Sequence, residues 1–268
     1  NRAKKLNRPA KTVETYEKLD GPVHWTTSVA LSWRLGVLST AYHLLENYEK
    51  ELETAREAQK HFPNDLYRRA DEIRALAALG RVEELLNVVE KSKDLAPTDG
   101  SAGNVMSVAS LELRAHGHKV EALKIAEEAV RWHEGHDAGD KEGLAEALYH
   151  AERWDEAYAL FKDLAAERPS DVGNKGMLGV SAARKGDEGE ARRIADELKS
   201  VDQKYLFGGH TYNRACIHAL LGEHAEAVRL LKESFEQGRR FNVYIHRDID
   251  FESMRDYPPF QELLKPKG

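Results

Sequence analysis

Apolar residues recur in this chain at helical spacing and, above that, at a longer period. Ala227, Leu230, Leu231, Ser234 and Phe235 fall at i, i+3, i+4, i+7 and i+8, with mostly polar residues on the opposite face. The stretch Gly143–Pro169 reads as two such helices with a turn between them. The pair recurs. Pro63 and Pro97 each follow a helical run and stand 34 residues apart; Pro169 lies 72 further on, room for two more units and a small insertion. The turn inside each pair is an independent ruler: Glu46, Gly80, Gly117, Glu152, Gly186 and Gly222, spaced 34, 37, 35, 34 and 36. Four of these are glycine, which ends a helix in the left-handed conformation without a Cβ clash. Together the rulers predict an all-α chain of six helix pairs at 26–63, 64–97, 102–134, 140–169, 171–203 and 208–239. A period of this size means a solenoid, in which each pair buries its apolar face against its neighbours.

In this register the sequence resembles the tetratricopeptide repeat family over about residues 26–239. That pattern has a small residue at its eighth position, a large apolar one at the eleventh, alanine at the twentieth and twenty-seventh, and proline at the thirty-second. The fourth unit matches with Ala145, Leu148, Ala157 and Pro169, with Phe161 as the large residue of its second helix and Leu164 at the second alanine site. The third has Leu113, Ala122, Ala126 and Ala129; the fifth Gly179, Ala191 and Leu198; the sixth Ala215, Ala227 and Leu231. The first supplies Ser39, Tyr42, Ala58 and Pro63 but puts Glu51 where alanine is expected, and the second has Leu76 and Pro97 but Leu85 and Ser92 at its alanine sites. The resemblance implies a right-handed α-solenoid. Small residues let the two helices touch, and large ones fill the groove to the next pair.

A solenoid needs a cap on its last pair. Residues 240–268 fit that role, with Phe251, Met254, Phe260, Leu263 and Leu264 apolar and Pro258–Pro259 opening a final helical turn. The ending His246–Leu264 also resembles the close of repeat modules in bacterial multidomain proteins, where they follow a kinase, cyclase or transcription-regulator domain. That likeness implies the C-terminal arm of a bacterial signalling protein, although free-standing repeat proteins share such endings. At the other end, Arg8–Asp20 within 1–25 reads as the second helix of a preceding pair whose first helix is missing.

Composition narrows the partners. A net charge of −6 argues against sequence-independent nucleic-acid binding, which needs a basic footprint. No run reaches the length of a membrane span. Cys216 is the only cysteine, so no intrachain disulfide forms; it reads as a small packing residue, and the compartment stays open, with the cytoplasm slightly favoured.

No catalytic residue, metal or cofactor is expected. His116, His118, His133, His136 and Asp137 resemble no known ligand spacing, and the two groups stand at opposite ends of a helix about 22 Å long. The triplet His246-Arg247-Asp248 mimics a kinase catalytic loop without its downstream Asn, metal motif or Gly-rich loop. Gly208-Gly209-His210 lacks the strand and the Gly-Lys-Ser/Thr of a phosphate loop and reads as an inter-repeat turn.

In the family the concave wall comes mainly from the first helix of each pair. Carrying its positions over gives Trp33, Thr40 and His43, then Tyr67 and Arg74, then Asn104, Ser107 and Arg114. The fourth pair gives Glu142, Glu146, Tyr149 and His150, the fifth Arg184 and the sixth Tyr212. Aromatics and arginine dominate interface energetics, and a groove of this kind suits an extended peptide or a helix. The alternative is that these residues are simply the solvated side of their helices. The family's carboxylate clamp for chaperone C-termini is absent, because Gly36 and Thr40 stand where its Lys and Asn would be. Three readings follow: a non-catalytic scaffold for a protein or peptide partner, a module that self-assembles by end-to-end stacking, and an enzyme or metal protein on a helical array.

Overall fold

A computed structural model of the chain describes residues 7–18, 28–95, 101–136 and 140–267. Pro97 and Asp137 lie outside the described residues. All regular structure among them is helical. A first helix α1 (Pro9–Lys18) precedes six pairs: α2 (Ser28–Leu44) with α3 (Tyr48–His61), α4 (Leu66–Ala78) with α5 (Val82–Lys93), and α6 (Ala102–Ala115) with α7 (Lys119–His136). They continue with α8 (Lys141–His150) and α9 (Trp154–Glu167), α10 (Val172–Arg184) and α11 (Glu188–Lys199), and α12 (Gly209–Leu220) and α13 (His224–Glu236). A short α14 (Tyr244–Arg247), a 3-10 turn at Ile249–Met254 and α15 (Pro258–Leu264) close the chain.

The six turn positions read from spacing are all left-handed: Glu46 (φ 58°), Gly80 (67°), Gly117 (90°), Glu152 (61°), Gly186 (86°) and Gly222 (77°). Each carries the same pair of backbone bonds that closes a helix in the Schellman manner. In the fifth pair Gly186 N–H donates to Ala183 O at 3.1 Å and Asp187 N–H to Ala182 O at 2.9 Å. A Cβ at Gly186 would meet nothing within 4 Å, so an alanine there is opposed by conformation alone. Gly186→Ala should therefore lower stability by about 1 kcal/mol. Glu152→Gly, which relieves the strain at a non-glycine position, should raise it by up to about 1 kcal/mol after glycine's extra entropy. Denaturant midpoints of the two variants check both signs.

The helix starts use a device that periodicity does not show. Asp65 accepts from Tyr67 N–H at 2.9 Å and Arg68 N–H at 3.2 Å, and Asp171 repeats this with Gly173 and Asn174. Each satisfies donors that a helix N-terminus leaves open.

Contacts divide the chain into two compact units: Asn1–Trp132 with Asn242–Arg247 and Pro266–Gly268, and His133–Phe241 with Asp248–Lys265. In the first, α1 lays Tyr16 against Val37, Leu38 and Tyr42 of α2, and Ile73, Leu76, Leu85, Met106 and Leu113 are fully buried. In the second, Phe161, Leu164, Ile194 and Leu198 fill the space between pairs while Ala145, Ala157, Ala191, Ala215 and Ala227 are buried where helices touch. Gly179 shows how close that approach is, since a Cβ there would stand 2.5 Å from Ile217 Cδ1. Gly208, with φ +80°, lies with its α-carbon hydrogens against the Ser234 carbonyl, so the Gly-Gly-His run forms the start of α12.

Glu51, the residue that departs from the repeat pattern, is fully buried and ion-paired. It accepts from Arg74 Nε at 2.5 Å and from His43 Nδ1 at 2.8 Å. Charge takes the place of the alanine. Phe251, Met254 and Phe260 of the tail are buried in the second unit, and Leu263 and Leu264 are half-buried.

Candidate functional site

The first helices present two kinds of side chain. Trp33 on α2 and Tyr67 on α4 occupy the same place in consecutive repeats and are exposed, at 51% and 59%. Asn104 on α6 follows in the same register and is also exposed. The local reason is geometric. Asp65 caps α4 and Arg68 reaches back to the Ser32 carbonyl at 3.4 Å, which fixes the starts of α2 and α4 side by side. The Trp33 ring meets Tyr16 of α1 edge-on at 5.4 Å and leaves its other side to solvent.

Deeper on these helices is a polar network in the first unit. Arg74 donates to Glu51, to Ser39 Oγ at 2.9 Å and pairs with Asp71 at 3.1 Å. Burial opposes its charge, but Glu51, Asp71 and Glu112 outweigh that and hold the guanidinium ionised. Arg247 of α14 donates to Glu112 of α6 at 2.8 Å, both side chains being buried, while the Arg247 guanidinium lies 4.4 Å from the Tyr244 ring centre. His43 stacks edge-on with His116 at 5.9 Å, and Tyr48 stands against both rings. Arg114 is buried, Ser107 is half-buried, and Thr40 is half-buried with its hydroxyl donating to Gly36 O at 2.9 Å.

In the second unit, candidate residues of three first helices grip the tail. Tyr149 of α8 donates to Asp250 at 2.5 Å. Arg184 of α10 donates to the Ile249 carbonyl at 2.7 Å and to the Tyr149 oxygen at 3.3 Å, pairs with Asp250 at 3.5 Å, and stacks on Trp154 at 5.0 Å. Tyr212 of α12 donates to Asp248 at 2.6 Å, with Arg239 on its ring at 3.7 Å. Tyr149, Tyr212 and Asp250 are buried. Burial, then the charge of Asp248, pushes Asp250 up to about 7, and burial raises Asp248 as well. Cys216 is buried with Sγ 4.0 Å from Asp248, and burial pushes its thiol well up, so it is held as an inert thiol. Beside Arg184 an open hollow of about 420 Å³ is lined by Glu152, Trp154, Asp155 and Lys185.

The remaining candidates stand apart. Glu142 pairs with Arg168 at 3.1 Å, and His150 packs its ring against Tyr149. Glu146 is exposed; crowding around its carboxyl, then the charges of Glu142 and Asp140, push it up to about 7, a shift that water reaching the side chain moderates. His133 is buried 3.5 Å from Asp140, in a different unit from His116. Arg247 and Asp248, the last two residues of the kinase-like triplet, serve as anchors to Glu112 and Tyr212. Sequence reasoning did not find Glu51, Glu112, Trp154, Asp248 or Asp250 as parts of these networks. Of these, Glu51 alone carried a signal, a charge where the repeat pattern has alanine.

No family model and no curated protein matches the chain. Among solved structures it is similar to a tetratricopeptide repeat protein from Parabacteroides merdae, at 14% identity and a TM-score of 0.49, covering 96% of this chain and 97% of that one. The chain's own pairs and turns carry the fold assignment: the described residues form successive all-α helix pairs.

Proposed function

We propose that this chain is a non-catalytic interaction scaffold that binds a peptide or protein segment on the first helices of its repeats. The observation that carries the reading is the exposed Trp33–Tyr67 pair, held in register by the Asp65 cap of α4 and by the hydrogen bond from Arg68 to the Ser32 carbonyl of α2. Large aromatics fixed in the open cost surface free energy and supply most of the binding energy in interfaces. The second unit supports the same reading. Tyr149, Arg184 and Tyr212, at groove positions of their own first helices, hold a short stretch of chain by its carboxylates and a backbone carbonyl. The wall is thus chemically suited to a peptide with acidic side chains.

Selection of a displayed random-peptide library on the immobilised chain tests this. Peptides that bind should lose at least about tenfold in affinity with Trp33→Ala or Tyr67→Ala, the loss of one aromatic hot spot. Enriched peptides that bind both variants as well as the parent, or no enrichment at all, would remove the proposal. Sedimentation that changes with concentration would favour the self-assembling alternative. The finer reading, a C-terminal arm of a bacterial signalling protein, rests on the likeness of the His246–Leu264 ending to such modules. Sequencing the coding region upstream tests it: a kinase, cyclase or DNA-binding domain there supports it, and a start codon within a repeat or two removes it.

A further inference from the structure

His43, Glu112 and His116 come together in the first unit although 69 residues separate the first two. Glu112 lies in the last turn of α6 and His116 is the residue that caps its C-terminus, so both stand at the same end of that helix. His43 reaches them from the last turn of α2, and one ligand atom from each of the three lies within 4.8 Å of the others. A point central to three atoms so spaced is at most about 2.8 Å from each, against 2.0–2.2 Å for zinc bonded to imidazole or carboxylate. Closing that difference takes well under an ångström of side-chain movement per ligand.

The surroundings have the features of a ligand set. His43 Nδ1 donates to the buried Glu51 carboxylate at 2.8 Å, which orients the ring and leaves Nε2 for another partner. A carboxylate behind a histidine is the usual second shell of a zinc ligand. Glu112 is 1% exposed and uses Oε1 to accept from Arg247, while its other oxygen, Oε2, is buried with no hydrogen-bond partner. An orphaned, fully buried carboxylate oxygen is costly unless something positive meets it. His116 is half-buried, so the group can be reached from solvent. Tyr48 walls the remaining side against both rings.

We propose that His43 Nε2, His116 and Glu112 Oε2 form a binding site for a divalent transition metal, zinc by preference, that ties α2 to α6. Two imidazoles and one carboxylate suit zinc, with a fourth position left for water or a partner's side chain. The sequence alone set His116 beside His118, His133, His136 and Asp137 and led to no metal being expected, because the contact that brings His43 to Glu112 and His116 is between different repeats. This proposal does not depend on the peptide-binding reading.

Titration of chelator-stripped full-length chain with Co²⁺, followed by the visible absorption of a tetrahedral site and by displacement with Zn²⁺, tests it. One equivalent should bind. His116→Ala, at a half-exposed turn, and Glu112→Gln, which keeps an oxygen for Arg247, should each weaken binding by more than the roughly 100-fold that second-shell changes reach. His118→Ala and His136→Ala should bind as the parent does. Circular dichroism confirms that each variant is folded. No stoichiometric binding by the parent overturns the site, as does binding that survives both ligand variants or is lost with His118→Ala.

Discussion

Glu51→Ala is expected to destabilise the first unit by about 3–5 kcal/mol, the cost of breaking a buried ion pair from one side. This holds even though alanine is the residue that the repeat pattern prefers at that position. Glu51 is fully buried and satisfies both Arg74 and His43, which are themselves buried. Its loss leaves Arg74 with Asp71 as its remaining carboxylate and takes away the acceptor of His43 Nδ1. The guanidinium cannot escape by deprotonating, so the penalty stays. Urea unfolding should show it as a fall in midpoint, and the double variant Glu51→Ala/Arg74→Met should recover most of the loss, because apolar replacements of a buried pair are close to neutral. A loss below about 1 kcal/mol would mean that the pair is not the buried anchor described.

Arg184→Ala should free the tail of the second unit at a cost of about 3 kcal/mol. The guanidinium makes a bond to the Ile249 carbonyl, pairs with Asp250, donates to Tyr149 and stacks on Trp154. The cost should depend on pH, and the sign follows from Asp250. Burial and Asp248 raise its folded-state pKa to about 7 from an ordinary 3.8, so between those values the fold keeps a proton that the unfolded chain has lost. Stability from this group is therefore greatest below about pH 4 and declines as pH rises towards 7. Removing Arg184 takes away a charge that lowers Asp250, which raises its pKa further and extends the decline. The difference between parent and variant should be larger at pH 8 than at pH 5. Hydrogen exchange in residues 244–264 should accelerate in the variant before exchange elsewhere. Equal penalties at both pH values would show that Asp250 is not the group Arg184 compensates.

The repeat frame was legible because its signals are local. Gly80, Gly117, Gly186 and Gly222 mark left-handed helix ends by chemistry, and spacing alone carried the rule to Glu46 and Glu152, which adopt the same conformation. The apolar tail residues were legible for the same reason, since Phe251, Met254 and Phe260 are buried as their hydrophobicity requires. What joins distant segments was not. Arg247 meets Glu112 across 135 residues, and Tyr149 meets Asp250 across 101. A single sequence offers no period that pairs such residues. Glu51 read as a lapse in the pattern because its partner Arg74 is 23 residues away in the next repeat. For the same reason the first-helix candidates looked alike in sequence, yet Trp33 and Tyr67 are open to solvent while Tyr149 and Tyr212 are buried against the tail.

The central claim is that the first helices, through Trp33 and Tyr67, form the recognition surface. Hydrogen exchange of the chain with and without a peptide selected on it tests that directly. The account predicts slowed exchange in 28–44 and 66–78, the helices that carry the two aromatics. Protection confined to the second helices, 48–61 and 82–93, would place recognition on the opposite side of the pairs and contradict it.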